Sequence, residues 1–294
     1  MNTSKRGRKA YIYILPWLIG LAVLQLYPFV ASLIYSFTDY NAFGKIHFVG
    51  FDNYIRLFTK DTEFYKSLGV TIKYTLMTVP GKIILSLLVA IMLNKSRKGI
   101  GILRTVFYLP SLFGGSIAVA LLWKLLFMDK GMINAMIHVF GFGPVSWLGD
   151  PKVALFTLSS LDIWQFGSSM VMFLAALKNV PASLYEAAGI DGANKFQIFF
   201  KITFPQITPI IFFTIIMQSI NALQNFTSAF VITKGGPVKS TYMLGLKLYN
   251  DGFAYHKMGY ASASSWIIFM LILIVTLVLF GTQKYWVFYE DESK

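Results

Sequence analysis

Residues Lys178–Thr203 read KNVPASLYEAAGIDGANKFQIFFKIT, and they separate two long apolar runs, Val153–Leu177 and Phe204–Ile232. Each run is long enough to cross the ~30 Å of hydrocarbon in a bilayer, which takes about 20 residues. The segment between them is long for a simple helix–helix connection and carries helical punctuation of its own. Asn179 is placed to cap a helix with Pro181 at an early position, running Pro181–Ala188 and stopping at Gly189. Asp191 is placed to cap a second helix, Gly192–Ile202, which Pro205 ends. Ala187, Ala188 and Ala193 leave little bulk at the elbow, and Phe196, Phe199 and Phe200 share one helix face. Two readings fit this spacing: an amphipathic connector lying on lipid headgroups, or a knob that seats in the groove of a cytoplasmic partner.

Outward from this segment lie four further apolar runs: Tyr11–Phe37, Leu68–Leu93, Thr105–Met128 and Ala261–Gln283. The fold class is therefore all-α, a polytopic membrane protein with six transmembrane helices. Composition agrees. Charged residues are only 13% of the chain and hydrophobic residues 56%, more apolar surface than a soluble domain can hide. Intrinsic disorder, a nucleic-acid-binding module and an ordinary cytosolic enzyme are excluded. The chain has no cysteine, which removes disulfides, zinc thiolates and thiol catalysis. Lys5, Arg6, Arg8 and Lys9 precede the first run as they would in a signal peptide. The run exceeds the usual 7–15-residue secretory core, roughly, and ends without a small-residue cleavage site, so it is read as a retained helix. Pro16, Pro28, Pro80 and Pro209 are expected to bend the spans they occupy.

The net charge of +13 is read as membrane anchoring rather than nucleic-acid binding. Basic residues are densest at the N-terminus and in the short turn holding Lys95, Arg97, Lys98 and Arg104, which places both on the cytoplasmic side. Alternation of the spans then makes both termini and the 178–203 loop cytoplasmic. The longer opposite loops mix lysines with acids. The three histidines, His47, His138 and His256, fall in or beside those outer loops without metal-ligand spacing, and are read as surface residues.

Ionisable groups within spans default to functional hypotheses. Lys73 and Lys124 are near enough to span ends to reach the interface. Lys82 and Asp162 are deeper, Asp162 by about 13 Å at ~1.5 Å per residue. Either Asp162 pairs with Lys73 or Lys82, or a water-lined cavity solvates each alone. In the fifth run Gln218, Asn221, Gln224 and Asn225 follow offsets of three and four along one helix face. Such amides glue helices together in lipid, and they equally suit sugar hydroxyls, having both donors and acceptors. Trp164, Gln165 and Trp266 are candidates to add stacking and hydrogen bonds.

The run Glu186-Ala187-Ala188-Gly189-Ile190-Asp191-Gly192-Ala193, with Phe196, Phe199, Ile202-Thr203-Phe204-Pro205 and Pro209, closely resembles the EAA loop of binding-protein-dependent ABC importer permeases. The resemblance covers most of the chain. Leu15-Pro16, Tyr27-Pro28, Ser36-Phe37-Thr38-Asp39-Tyr40 and Val49-Gly50-Phe51-Asp52-Asn53-Tyr54 are similar to the N-terminal third of maltose-type sugar permeases. Arg104, Tyr108-Leu109-Pro110, Trp123, Gly131, Asn134, Trp147-Leu148, Trp164-Gln165 and Thr233-Lys234-Gly235-Gly236-Pro237 continue it. Two departures stand out: Phe204 replaces a common Leu before the proline, and the large outer domain of some maltose permeases is absent.

The resemblance implies a type I ABC importer permease fold in a bacterial plasma membrane. It divides the chain into an N-terminal segment with the first helix and outer loop (1–65), a permease core (66–282) and a cytoplasmic tail (283–294). It implies that the loop fits a cleft of a separate ATPase, with Glu186 making the polar contact and Gly189 and Asp191 fixing the turn. The implied partners are a second homologous permease, an ATPase dimer, an extracytoplasmic solute-binding protein and a sugar or oligosaccharide. No cofactor is expected, since ATP would be bound by the partner. Neither Gly44-Lys45 nor Gly81-Lys82 sits in a P-loop pattern. An ion-coupled secondary carrier is the main rival, though no internal repeat of the kind such carriers use is evident. A membrane enzyme would want clustered acids or histidines, which are lacking.

Overall fold

The structure, a computed structural model, describes residues 13–289 save 42, 45, 96 and 97. The basic residues Lys5, Arg6, Arg8, Lys9 and Arg97, the start of the first apolar run and the end of the tail lie outside the described residues. The helices in chain order are α1 (Tyr13–Ser36), α2 (Asp52–Thr59), α3 (Thr62–Leu93), α4 (Ile100–Leu112), α5 (Ile117–Leu126), α6 (Met132–Val139), α7 (Ala154–Trp164), α8 (Gly167–Asn179), α9 (Ala182–Ile190), α10 (Lys195–Leu223), α11 (Leu244–Tyr249) and α12 (Met258–Thr282). Among the described residues the sole β feature is an isolated bridge between Thr38 and Phe48.

By length and composition α1, α3, α10 and α12 can each cross a membrane, and α4–α5 and α7–α8 make two more spans if each bent pair counts as one. The pairs are bent by 103° and 47°. The sequence places bends at prolines. The structure breaks at Phe113–Ser116, where Gly115 takes φ +71°, and at Gln165–Phe166. Two of the prolines are each accommodated by a π turn. A π-helical turn, Ala22–Leu26 or Phe199–Thr203, closes immediately before the residue that precedes Pro28 or Pro205. The last amide ahead of each proline then bonds five residues back, Tyr27 to Ala22 and Phe204 to Phe199. The wider turn moves backbone carbonyls away from the ring that would strike them. Pro205 therefore does not end the helix, and α10 runs from Lys195 to Leu223 rather than the expected Phe204–Ile232. Residues Ala229–Thr233 form a separate π turn beyond a break at Gln224–Phe226.

The chain divides into two compact units, Met1–Thr62 with Leu248–Phe269, and Glu63–Lys247 with Met270–Lys294. In the first, Asn53 Nδ2 donates to the carbonyls of Ser36 (2.9 Å) and Thr38 (2.8 Å), and the Tyr54 hydroxyl donates to Ser36 Oγ (2.7 Å), closing the end of α1. Gly259 donates its amide to the Tyr40 carbonyl at 2.9 Å, and a Cβ there would lie 2.1 Å from the Thr38 oxygen. Only glycine allows that approach. Trp266 bonds Ser32 Oγ (3.3 Å) and packs on Phe29 at 4.8 Å between ring centres. The His47 amide donates to Asp39 at 2.8 Å and holds that carboxyl below its ordinary value.

Two of the apolar cores in the second unit frame the site. One joins Tyr74, Leu158, Leu161, Ala222, Ile232 and Met243; the other joins Ala90, Phe166, Met170, Phe173, Leu177 and Ile207. Gly167 lets α8 meet α4, since its Cβ would lie 2.6 Å from the Phe107 oxygen and the Tyr108 Cα. Small residues at such crossings are how helices pack in lipid. Asn134, 6% exposed, bonds Val145 in both directions and accepts from Trp147 Nε1 at 2.9 Å.

Candidate functional site: a polar cavity at the span breaks and a two-helix loop

A cavity of about 360 Å³ opens where three helices are interrupted. Gly114, Gly115 and Ser116 line it from the α4–α5 break, Gln165 from the α7–α8 break, and Gln224 to Ser228 from the end of α10. Lys82 of α3, Asp162 of α7 and Asn221 of α10 complete its polar wall. A helix break frees backbone donors and acceptors, which is tolerated at membrane depth only where protein or a water-filled cavity meets them. The breaks and the cavity are thus one feature.

The sequence-predicted residues separate by role. Asn221, Gln224, Asn225 and Gln165 line the cavity. Gln218 is turned to packing, with Nε2 donating to Ser169 Oγ at 3.2 Å. Trp164 packs against Trp123 at 5.4 Å with the rings tilted by 36°, and Trp123 Nε1 donates to the Thr157 carbonyl. Asp162 and Lys82 both line the cavity, but Asp162 is not ion-paired with a lysine among the described residues. Its Oδ2 accepts from the Tyr74 hydroxyl and from Asn225 Nδ2 (2.9 Å). Asn225 Nδ2 also reaches the Tyr74 oxygen at 3.0 Å, and Ser228 Oγ donates to Asn225 Oδ1 at 2.6 Å. Neutral donors suffice because they satisfy the carboxyl oxygen without burying a second charge. Tyr74 and Ser228 are the members that sequence reasoning missed. The Gly114-Gly115 pair inside an apolar run was the available signal for the break.

The 178–203 loop does form two helical pieces, with boundaries other than those expected. Pro181, not Asn179, is the N-cap of α9. The helix passes through Gly189 and ends in a left-handed residue at Gly192, φ +69°. Ala193 N–H bonds the Ala188 carbonyl (3.0 Å) and Gly192 N–H bonds that of Gly189 (3.3 Å), the paired closure of a Schellman motif. Asn194, not Asp191, caps the next helix: its side chain accepts from the Gln197 amide (2.9 Å) while Gln197 accepts from the Asn194 amide (2.8 Å). This capping box starts α10 directly from the elbow, so the loop's second helix and the following span are one rod. Tyr185 and Thr203 hydroxyls meet at 3.1 Å and tie α9 to that rod.

Glu186, Ala187, Gly189, Asp191 and Gly192 are exposed, Ala193 is half-buried and Ala188 is buried. No heavy atom lies within 4 Å of a Cβ built at Gly189. Ile190 and Phe196 are 88% and 77% exposed. Phe200 joins Phe196 (6.4 Å) and Phe199 (5.0 Å) in an aromatic row. Phe196 and Phe199 also border a hollow of about 490 Å³ with Ile91, Leu177 and Tyr185. Pro205 lies half-buried within α10.

Residues 63–286 match the family of binding-protein-dependent transport system inner membrane components. This chain belongs to that family. The permease is 46% identical over 301 residues to the probable ABC transporter permease protein YesP of Bacillus subtilis, covering all of this chain and 97% of the relative. It is 33% identical to the trehalose/maltose transport system permease protein MalF of Thermococcus litoralis, over 96% of this chain and 95% of that one. Among solved structures it resembles the bacterial alginate ABC transporter in complex with an alginate pentasaccharide-bound periplasmic protein. That match has a TM-score of 0.81 at 23% identity over 95% of each chain, which establishes the shared fold. The permease is thus an inner-membrane, mostly helical importer component.

Proposed function

We propose that this permease is one of two membrane subunits of an ATP-driven importer for a sugar or oligosaccharide. Both termini and the 178–203 loop face the cytoplasm. A solute-binding protein delivers substrate to the outer loops. An ATPase dimer docks below, one copy on α9 and its elbow, and hydrolyses the ATP; this chain does no covalent chemistry. The observation that carries the solute assignment is the amide-lined cavity at the span breaks. Amides match hydroxyls as donor and acceptor at once, and relatives named for starch degradation products, arabinooligosaccharides and lactose agree with that chemistry.

Coupling follows from the continuity of α10 through the elbow. A force on α9 passes through the Schellman turn and the Tyr185–Thr203 contact into a rod whose other end carries Asn221 and, just past its break, Asn225. ATP binding by the partner favours one helix arrangement over the other, a population shift rather than a chemical step. The test is uptake by the reconstituted importer with Asn221 and Gln224 both replaced by Ala. Transport or solute selectivity changes if they line the path; wild-type rates and selectivity refute it. Uptake that persists after the ATPase is omitted refutes the ATP-driven reading in favour of an ion-coupled carrier.

A further inference from the structure

The cavity wall carries two ionisable groups in very different circumstances. Asp162 Oδ2 already accepts from Tyr74 and from Asn225. The Lys82 ammonium has no hydrogen bond or ion pair among the described residues, although Lys82 lines the same cavity. An ammonium in a membrane span is costly and persists where a counter-charge or water reaches it. Asp162 is thus held in place through Oδ2 by two neutral side chains. An uncommitted ammonium on a wall shared with the amides of Gln165, Asn221 and Gln224 is a good receptor for an anionic solute.

We propose that Lys82 is a specificity-determining residue selecting a saccharide that bears a carboxylate, such as a uronic-acid sugar. The carboxylate meets Lys82, and the hydroxyls meet the neighbouring amides. This rests on the sugar-permease reading above and narrows its substrate class. A phosphorylated sugar offers the same negative charge in another geometry and is a competing outcome of the test.

The complete importer, with its own second permease, ATPase and binding protein, is reconstituted in proteoliposomes. ATP-driven uptake is measured for labelled galacturonate, glucuronate and mannuronate disaccharides, each beside its neutral methyl ester, with maltose, lactose and glucose 6-phosphate as comparisons. The acid-to-ester uptake ratio is expected to fall by about tenfold or more in K82M, the loss of one charge-assisted hydrogen bond, and to return toward wild type in K82R. The binding protein is the same in every arm, so a change of ratio belongs to the permease. Retained uptake of the neutral methyl esters by K82M shows that this variant assembles. A ratio that K82M leaves unchanged overturns the inference alone, as does uptake confined to neutral sugars or to the phosphate. Uptake of no saccharide at all overturns the sugar-permease reading and this inference with it.

Discussion

Replacing Tyr74 by Phe deletes a single oxygen from the polar cluster and leaves the ring in place. Tyr74 is fully buried at 0% exposure, so no bulk water replaces the hydroxyl. That hydroxyl donates to Asp162 Oδ2 and accepts from Asn225 Nδ2 at 3.0 Å. A hydrogen bond to a charged group is worth about 1.5–3 kcal/mol in soluble proteins, whereas interhelical bonds within membranes average about 0.6 and reach about 1.7 kcal/mol. Asp162 keeps the Asn225 bond at 2.9 Å, so it is not orphaned and the upper figure does not apply. The expected loss for Y74F is therefore about 1–1.5 kcal/mol, between those two scales. Asn225→Ala removes both donations from Nδ2 and strands the Ser228 hydroxyl, whose acceptor lies 2.6 Å away. It should cost more, about 2 kcal/mol. Both changes act on one carboxyl oxygen, so the double variant should show a coupling of at least about 0.5 kcal/mol. Equilibrium unfolding of the detergent-solubilised permease by SDS titration reads all three values. A Y74F protein indistinguishable from wild type, or a strictly additive double variant, refutes the cluster as described.

Gly167→Ala places a Cβ 2.6 Å from backbone atoms of α4, and overpacking of this kind costs about 1–3 kcal/mol; the same SDS titration should show it, and wild-type stability would mean that α4 and α8 are not in close contact. At the elbow two glycines should respond oppositely. Gly192→Ala forces a side chain into φ +69°, costing about 1–2 kcal/mol, whereas Gly189→Leu enters open space and should leave the permease as stable as wild type. Gly189→Leu should nevertheless weaken co-purification of the ATPase, and full retention of the partner would show that the Gly189 face is not the docking surface.

The six apolar runs were legible because a membrane span is a matter of length and composition, and every run contains helix in the structure. The presence of two helical pieces within 178–203 was legible from local punctuation. Their ends were not, since Asn179, Asp191 and Asn194 are all acceptable caps and only the Gln197 side chain decides for Asn194. Pro205 does not end its helix as expected because a π turn accommodates it within the helix, and nothing in a single sequence marks where one forms. The cavity amides Asn221, Gln224 and Asn225 were legible by spacing, yet spacing did not separate Gln218, whose packing role depends on Ser169 in another helix. Asp162 stood out as a buried acid, but its partners Tyr74 and Asn225 lie 88 and 63 residues away. In an apolar run a tyrosine that donates to a distant carboxyl looks like any other aromatic.

The most direct measurement replaces residues 182–194 by a Gly-Ser tether in the complete reconstituted importer and follows ATP hydrolysis and solute uptake together. Uptake should disappear, and any remaining hydrolysis should no longer respond to the solute-loaded binding protein. Uptake that stays tied to hydrolysis at the wild-type ratio would contradict the claim that α9 and its elbow carry the motor's movement into α10.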